Sequence, residues 1–261
     1  MKAIIMGHGY VGKAMEEFLQ NHFEIGIYDP AQGFGETPNF SMSSVVFICV
    51  PTNLVETTGR LDLTAVNECI RKLVEWKYVG LVVIKSTLPL GTTQKLIDDH
   101  RVHNLRIVFS PEFVVESKHY NPRMRKVVEE PFAIYGGEPE DTQAVIDLLL
   151  PIVGGDQRVY QCEANEAEMV KLMSNSWLAV KIGFQNEMRA LCEKNQVNYH
   201  EVRNIWRADE RVMNQLGVAF DKSRGFGGKC LPKDLSELIS LSTEFGVDTP
   251  ILKGAKDWEL K

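Results

Sequence analysis

The sequence predicts an α/β chain: an N-terminal parallel sheet with interleaved helices, then a mainly helical part built around one long helix. Three observations carry this. Short β-branched apolar runs alternate with helix-like stretches through the first half, the pattern of βαβ units. A glycine-rich turn, Gly7-His8-Gly9-Tyr10-Val11-Gly12, follows the first of those runs and precedes a helix. From Asn165 to Asn195 there is no proline and a single glycine, with apolar residues at three- and four-residue steps.

The expected strands are Lys2–Met6, Phe23–Tyr28, Val45–Val50, Leu81–Lys85, Leu105–Phe109 and Phe132–Tyr135, apolar enough to be buried on both faces. Helices are expected over Val11–Asn21, Leu63–Trp76, Gly91–His100 and Glu138–Leu149. The connection from Pro30 to Ser44 is rich in Gly, Pro and Ser and too short for a full crossover helix. In the long helix, Met169, Leu172, Met173, Ser176, Val180, Phe184 and Met188 form one stripe. The texture changes after Gly154-Gly155-Asp156, so the boundary is expected near residue 153, with a 1–153 dinucleotide-binding domain and a 154–261 helical domain.

Composition narrows the function. The 261 residues are 44% hydrophobic and 25% charged, as in a globular protein of about two domains. Lys plus Arg total 29 against 35 Asp plus Glu, and a net charge of −6 argues against a nucleic-acid groove. No apolar run approaches the roughly 18 residues of a membrane span, and the N-terminus runs into Gly7 too soon for a signal peptide. Five cysteines, 49, 69, 162, 192 and 230, contain no C-x-x-C, which points to a reducing cytoplasm with neither disulfides nor a zinc site.

Three segments carry chemistry. In Gly7–Gly12 the small residues let backbone N–H groups and a helix N-terminus approach a pyrophosphate. Asp29, ending the second strand, stands where a carboxylate binds ribose hydroxyls, and no Arg follows it before Arg60, which favours NAD over NADP. A glycine-rich turn in a flavodoxin-like sheet with another ligand fits the same loop. His8 is read as a loop residue acting through its backbone, and His100 and His103 form no metal-ligand pattern. The second segment is Gly225-Phe226-Gly227-Gly228-Lys229-Cys230-Leu231-Pro232-Lys233-Asp234. Its glycines permit close approach of a substrate, its lysines favour a thiolate, and Asp234 would orient a water or take a proton. A buried cysteine after a turn fits the spacing equally well. The third is Lys171 with Asn175, one turn apart on the long helix, either donors to an oxyanion or a solvated helix edge.

Taken together these segments resemble the UDP-glucose/GDP-mannose dehydrogenases, NAD-dependent enzymes that oxidise a sugar CH₂OH to a carboxylate. Five blocks match in order: Gly7–Gly12; Ile48-Cys49-Val50-Pro51-Thr52; Lys85-Ser86-Thr87-Leu88-Pro89-Leu90-Gly91-Thr92-Thr93; Ser110-Pro111-Glu112-Phe113; and Glu168–Asn175 with Gly225–Asp234. The resemblance implies a Rossmann-like N-terminal domain and a four-electron reaction through a thioester on Cys230. It implies Lys171 and Asn175 as stabilisers of alkoxide and oxyanion charge, and Asp234 with Thr87 as handlers of a water. Glu112 would serve thioester hydrolysis. It further implies that Val50, Pro51, Thr52, Ser86, Thr87 and Glu116 line the nicotinamide side. Glu112, Phe113, Val114, Val115, Glu116 and Gly225, Phe226, Gly227, Gly228 would meet a nucleotide-sugar substrate, together with Lys171 and Asn175.

Relatives continue into a third, Rossmann-like domain that closes over the nucleotide, whereas this sequence ends at Lys261, so a short form without that domain is expected. The stripe of the long helix, residues 165–195, is expected to pair two copies into a homodimer. Two rival readings remain on the sequence. One is a two-electron β-hydroxyacid-type dehydrogenase, which needs no nucleophilic cysteine. The other is a non-catalytic relic that binds NAD or a nucleotide sugar.

Overall fold

The structure, a computed structural model, describes residues 1–38, 40, 44–113, 130–153, 157–209 and 225–259. The residues fall into two compact units, Met1–Thr52 with Asp62–Lys171, and Asn53–Leu61 with Leu172–Lys261.

The first unit holds a sheet of β1 (Lys2–Met6), β2 (Glu24–Tyr28), β3 (Ser44–Ile48), β6 (Gly80–Ile84), β7 (Leu105–Phe109), β8 (Phe132–Gly137) and β9 (Arg158–Cys162). Their spatial order is β2-β1-β3-β6-β7-β8-β9. All six expected strands are present, and the sheet is parallel except between β7 and β8. The antiparallel step was not foreseen because an apolar run does not encode strand direction. Strand β9 was missed because Arg158, Tyr160 and Gln161 leave it half polar, as suits an edge strand.

Strand alternation sends side chains to both faces. Ile4, Met6, Val46, Ile48, Val82 and Ile84 meet α2 (Thr64–Glu75) and α3 (Thr92–His100) through Ile70, Leu73, Leu96 and Ile97. Ala3, Ile5, Val45, Phe47 and Val83 meet α1 (Tyr10–Leu19) and α4 (Pro139–Val153) through Met15, Phe18, Leu19, Val145 and Leu149. Each buried Val, Leu, Ile, Phe or Met side chain among them contributes about 1.5–3 kcal/mol. Between β2 and β3 the described residues form a single 3-10 turn, Pro30–Gln32, in line with the expected lack of a crossover helix. Helix α4 starts with Pro139 at its first position, where the missing N–H is harmless. It runs to Val153, past the expected end at Leu149, because Pro151 interrupts only the last turn.

Helix α5 (Ala164–Lys194) begins in the first unit and continues in the second. Its first turns pack on the sheet so closely that a Cβ on Gly136 would lie 2.5 Å from Ala167 Cβ. The second unit adds α6 (Tyr199–Trp206), α7 (Leu231–Glu244) and α8 (Pro250–Lys256). Ala179, Ile182, Leu235, Phe226 and Ala255 form its core. It also takes in a small hairpin, β4 (Leu54–Val55) with β5 (Arg60–Leu61), too short to show as a period in the sequence. The hairpin is clasped to α7: Leu61 N–H donates to Glu237 Oε2 at 2.8 Å, and Ser240 Oγ donates to Gly59 O at 3.0 Å. Arg60 Nε lies 3.1 Å from Glu237 Oε1 as an ion pair without hydrogen-bond alignment.

The stripe read along α5 splits in the structure. Leu172 and Ser176 are buried, whereas Met173 and Phe184 are exposed alongside Trp177. The buried face is built from small and polar residues, Ala179, Gln185 and Asn186 among them, which hydropathy does not mark.

Candidate active site

Parallel register places the ends of four strands side by side: Met6 opposite Ile48, Ile48 opposite Ile84, and Ile84 opposite Phe109. The chain turns from β1 outward to β2 on one side and to β3 on the other, the switch point at which doubly wound sheets bind ligands. The segments that follow these strands are Gly7–Gly12, Cys49–Thr52, Lys85–Thr87 and Ser110–Phe113, so four of the sequence blocks share one edge of the sheet.

The glycine loop has the shape a pyrophosphate requires. Gly7 sits at φ +91°, and a Cβ there would meet Cys49 and Val50 at 2.9 Å. A Cβ on Gly12 would lie 2.1 Å from Gly7 O, so that helix α1 closes directly on the turn. Around Gly9 there is open space. Tight turn, open middle and close helix packing are the three glycine roles of a dinucleotide loop. Asp29 Oδ2 accepts from His8 N–H at 2.8 Å and from Gln32 Nε2 at 2.7 Å. Partial burial pushes this carboxyl up, but the hydrogen bonds from His8, Gln32 and Ala31 outweigh it and hold it below the usual range. The His8 ring is engaged too, its Nε2 2.7 Å from Glu16 Oε2 and its edge on Phe34. Tyr10 is exposed at the start of α1, and Val11 packs on the sheet.

Next to the loop, Ser86 Oγ donates to Val50 O at 2.6 Å and Thr52 Oγ1 to Thr87 O at 2.9 Å, tying Val50, Thr52, Ser86 and Thr87 together. Pro51 between them is exposed. Lys171 reaches this unit from α5: its Nζ donates to Glu112 O at 2.5 Å, lies 3.5 Å from Glu112 Oε1 and 4.9 Å from the Phe113 ring centroid. It is 4% exposed, so it is not the solvated helix edge that the spacing alone allowed. Val114, Val115 and Glu116 lie outside the described residues.

Sequence reasoning passed over two charged partners here. Lys85 Nζ lies 3.3 Å from Ser110 Oγ, and burial lowers its pKa against the pull of Glu130 and Glu112. Glu130 Oε1 accepts from Phe113 N–H at 2.6 Å, and burial outruns the attraction of Lys85 to push its carboxyl up to about 7. Both are polar residues whose partners are distant in sequence, which no local pattern displays.

The second unit holds the other candidates. Cys230 is exposed at the N-terminus of α7, with Pro232 in the first turn, where the helix dipole favours a thiolate. The buried-cysteine alternative is thereby excluded. Asp234, one turn on, is fully buried and accepts from Asn175 Nδ2 of α5 and, at 2.6 Å, from Lys233 Nζ. Lys233 therefore neutralises Asp234. The glycine segment is hung from both sides: Gly225 N–H donates to Asn186 Oδ1 at 3.0 Å, and Phe226 N–H to Trp258 O at 3.0 Å. Asn186, three turns beyond Asn175 on the same helix, was not singled out, because its partner Gly225 is distant in sequence.

A doubly wound sheet with this glycine loop and a carboxylate after its second strand defines the dinucleotide-binding class. Residues 32–149 match the NAD binding domain of the UDP-glucose/GDP-mannose dehydrogenase family, and residues 165–259 match that family's central domain. The chain belongs to this family and carries its NAD binding domain. It is 30% identical to the UDP-glucose 6-dehydrogenase of Pseudomonas aeruginosa over 82% of this chain and 48% of the relative. It is 27% identical to that of Streptococcus pneumoniae over 91% of this chain and 68% of the relative. The chain thus spans about half the length of most of the curated relatives it matches. A UDP-glucose dehydrogenase structure from Pyrobaculum islandicum superposes with a TM-score of 0.80 at 23% identity, covering 97% of this chain and 66% of that one, a likeness of fold. Gly7–Gly12 precedes the matched residues, and the loop geometry above independently fits NAD.

Burial pushes the Cys49 and Cys69 thiols up to about 12, so neither forms appreciable thiolate near neutral pH. Brief iodoacetamide treatment of the native protein at about pH 8 should therefore label Cys230 first and leave Cys49 and Cys69 unmodified until denaturation. Peptide mapping by mass spectrometry checks the order, and native labelling of Cys49 at the rate of Cys230 would contradict it.

Proposed function

We propose that the chain oxidises a primary alcohol, the CH₂OH of a nucleotide sugar such as UDP-glucose, to the carboxylate with NAD, through a thioester on Cys230. The observation that carries this reading is an exposed cysteine at a helix N-terminus one turn before a buried aspartate held by Asn175. A two-electron dehydrogenase has no use for it. In this reading residues 1–153 bind the cofactor and 154–261 carry the nucleophile.

Gly7–Gly12 and Asp29 would hold the pyrophosphate and ribose, and Val50–Thr52 with Ser86 and Thr87 the nicotinamide end. Two molecules of NAD, bound in turn, would each accept one hydride from the substrate carbon, first at the alcohol and then at the thiohemiacetal. The Cys230 sulfur bonds to the aldehyde carbon to give a thiohemiacetal, whose oxidation leaves a thioester. Lys171 and Asn175 stabilise the negative oxygen that develops at each stage. Asp234, through a water that Thr87 helps to hold, would take up the proton of the alcohol; a second water would then cleave the thioester, returning the thiol and releasing the acid. Glu112 takes the proton of that water. Glu112, Phe113 and Gly225–Gly228 would meet the sugar.

We further propose a homodimer through α5 in the cytoplasm. Trp177 is 55% exposed and Phe184 46%, the Phe184 ring lies 6.0 Å from Trp206, and Met173 and Leu191 extend the same apolar surface. None of the five cysteines is in a disulfide, as a reducing compartment allows. Among the described residues no helix is long and apolar enough to cross a membrane.

Supplied with its substrate, the wild type should form two NADH per molecule oxidised. Cys230→Ala should lose the second oxidation while NAD binding persists, and Glu112→Gln should accumulate a covalent adduct visible in the intact mass. One NADH per substrate with a fully active Cys230→Ala would establish the two-electron reading, and NAD binding with no NADH from any UDP- or GDP-sugar would establish the relic. Sedimentation at micromolar concentration should give twice the chain mass for the wild type and the monomer for Trp177→Glu; a monomeric wild type overturns the dimer.

A further inference from the structure

Glu130 is a buried acid that the mechanism above does not use, and its surroundings give it a specific mechanical position. It is 5% exposed, and its Oε1 accepts from Phe113 N–H at 2.6 Å. Its own carbonyl accepts from Gln157 Nε2 at 3.0 Å, which fixes the residue to the start of β9. The Phe113 ring packs on Phe132, 4.8 Å between centroids, so side chain and main chain of Phe113 are both held by the segment entering β8. Lys171 is held in turn by this strap, through its hydrogen bond to Glu112 O and its place beside the Phe113 ring.

We propose that Glu130 is a positioning residue for Lys171: its carboxylate anchors the Glu112–Phe113 main chain, and that main chain holds the ammonium in place. The assignment rests on the dehydrogenase reading only for its link to turnover. The carboxylate form is required, because a charged acceptor binds a backbone N–H about twice as strongly as a neutral one. The charged and titratable groups facing it among the described residues are Lys85 after β6, Glu112 after β7, Lys171 on α5 and Tyr135 on β8. Lys85 and Lys171 favour the carboxylate and Glu112 opposes it, while burial opposes it most. The sign follows: the anchor is in place above about pH 7 and weakens as pH falls through that value.

The test reads Lys171 directly, without turnover. Trace acetylation across pH, quantified by mass spectrometry against the exposed Lys253 as internal standard, should show Lys171 in the wild type becoming more accessible as pH falls through about 7, after allowance for amine ionisation. In Glu130→Gln that inflection should vanish. In Glu130→Ala, Lys171 should label several-fold faster even at about pH 8, and the kcat of NADH formation should fall by about tenfold with KM for NAD unchanged. An inflection that persists in Glu130→Gln overturns the proposal even if Glu130→Ala fails to fold. So does Lys171 labelling in a folded Glu130→Ala identical to the wild type. A wild type that makes no NADH but shows the labelling pattern would refute the dehydrogenase reading and leave the positioning role standing.

Discussion

The buried carboxylate of Glu168 is the constraint on which the rest of the first unit depends. The N-cap of helix α3 is Gly91, which has no side chain with which to cap the helix. The cap comes from α5 instead: Glu168 Oε2 accepts from Gly91 N–H at 2.6 Å, and Oε1 from Thr93 N–H at 2.7 Å and Thr93 Oγ1 at 2.6 Å. One side chain thus satisfies two of the orphan donors of α3 and meets the positive end of its dipole. Burial raises the carboxyl's pKa despite these bonds, so the group carries a desolvation cost that only the full set of donors offsets. Because Glu168 cannot move without leaving those donors unpaired, the start of α5 is fixed against the sheet. Lys171, three residues on, inherits that position.

From there the chemistry is a matter of where strands end. The four strand ends β1, β3, β6 and β7 deliver the glycine loop, the Val50–Thr52 turn, Lys85–Thr87 and Ser110–Phe113 in register, and α5 adds a buried cation to the last of them. An ammonium this buried is worth having only if it is neutralised and hydrogen-bonded, which the Glu112 carbonyl and carboxylate and the Phe113 ring supply. The second unit uses the same economy around Asp234: a fully buried carboxylate bonded to Asn175 and Lys233, one turn from an exposed thiol. Lys171 and Asp234 are both buried and paired, and the group proposed to bond to substrate, Cys230, is exposed.

What the sequence displayed follows from how local each signal is. The glycine loop, the β-branched strands and the Cys-Leu-Pro-Lys-Asp turn are contiguous, and each was legible. Strand β9, with its polar alternation, and the two-residue strands of the 54–61 hairpin gave no period to read. The roles of Glu168, Glu130 and Asn186 were hidden for a different reason. Each is a polar residue whose partner lies between 17 and 77 positions away, so only the folded chain shows the bond. The stripe on α5 was partly misread because a helix face packed by Ala179, Gln185 and Asn186 does not look like a core face in hydropathy.

The central claim is that the buried Lys171 ammonium stabilises the charge that develops on substrate oxygen. It is tested most directly by Lys171→Ala assayed beside the wild type, with NAD affinity measured on both. The account predicts a loss in kcat on the order of 10²–10³, with NAD binding retained because the glycine loop and Asp29 are untouched. A Lys171→Ala enzyme within about twofold of the wild-type kcat would contradict it.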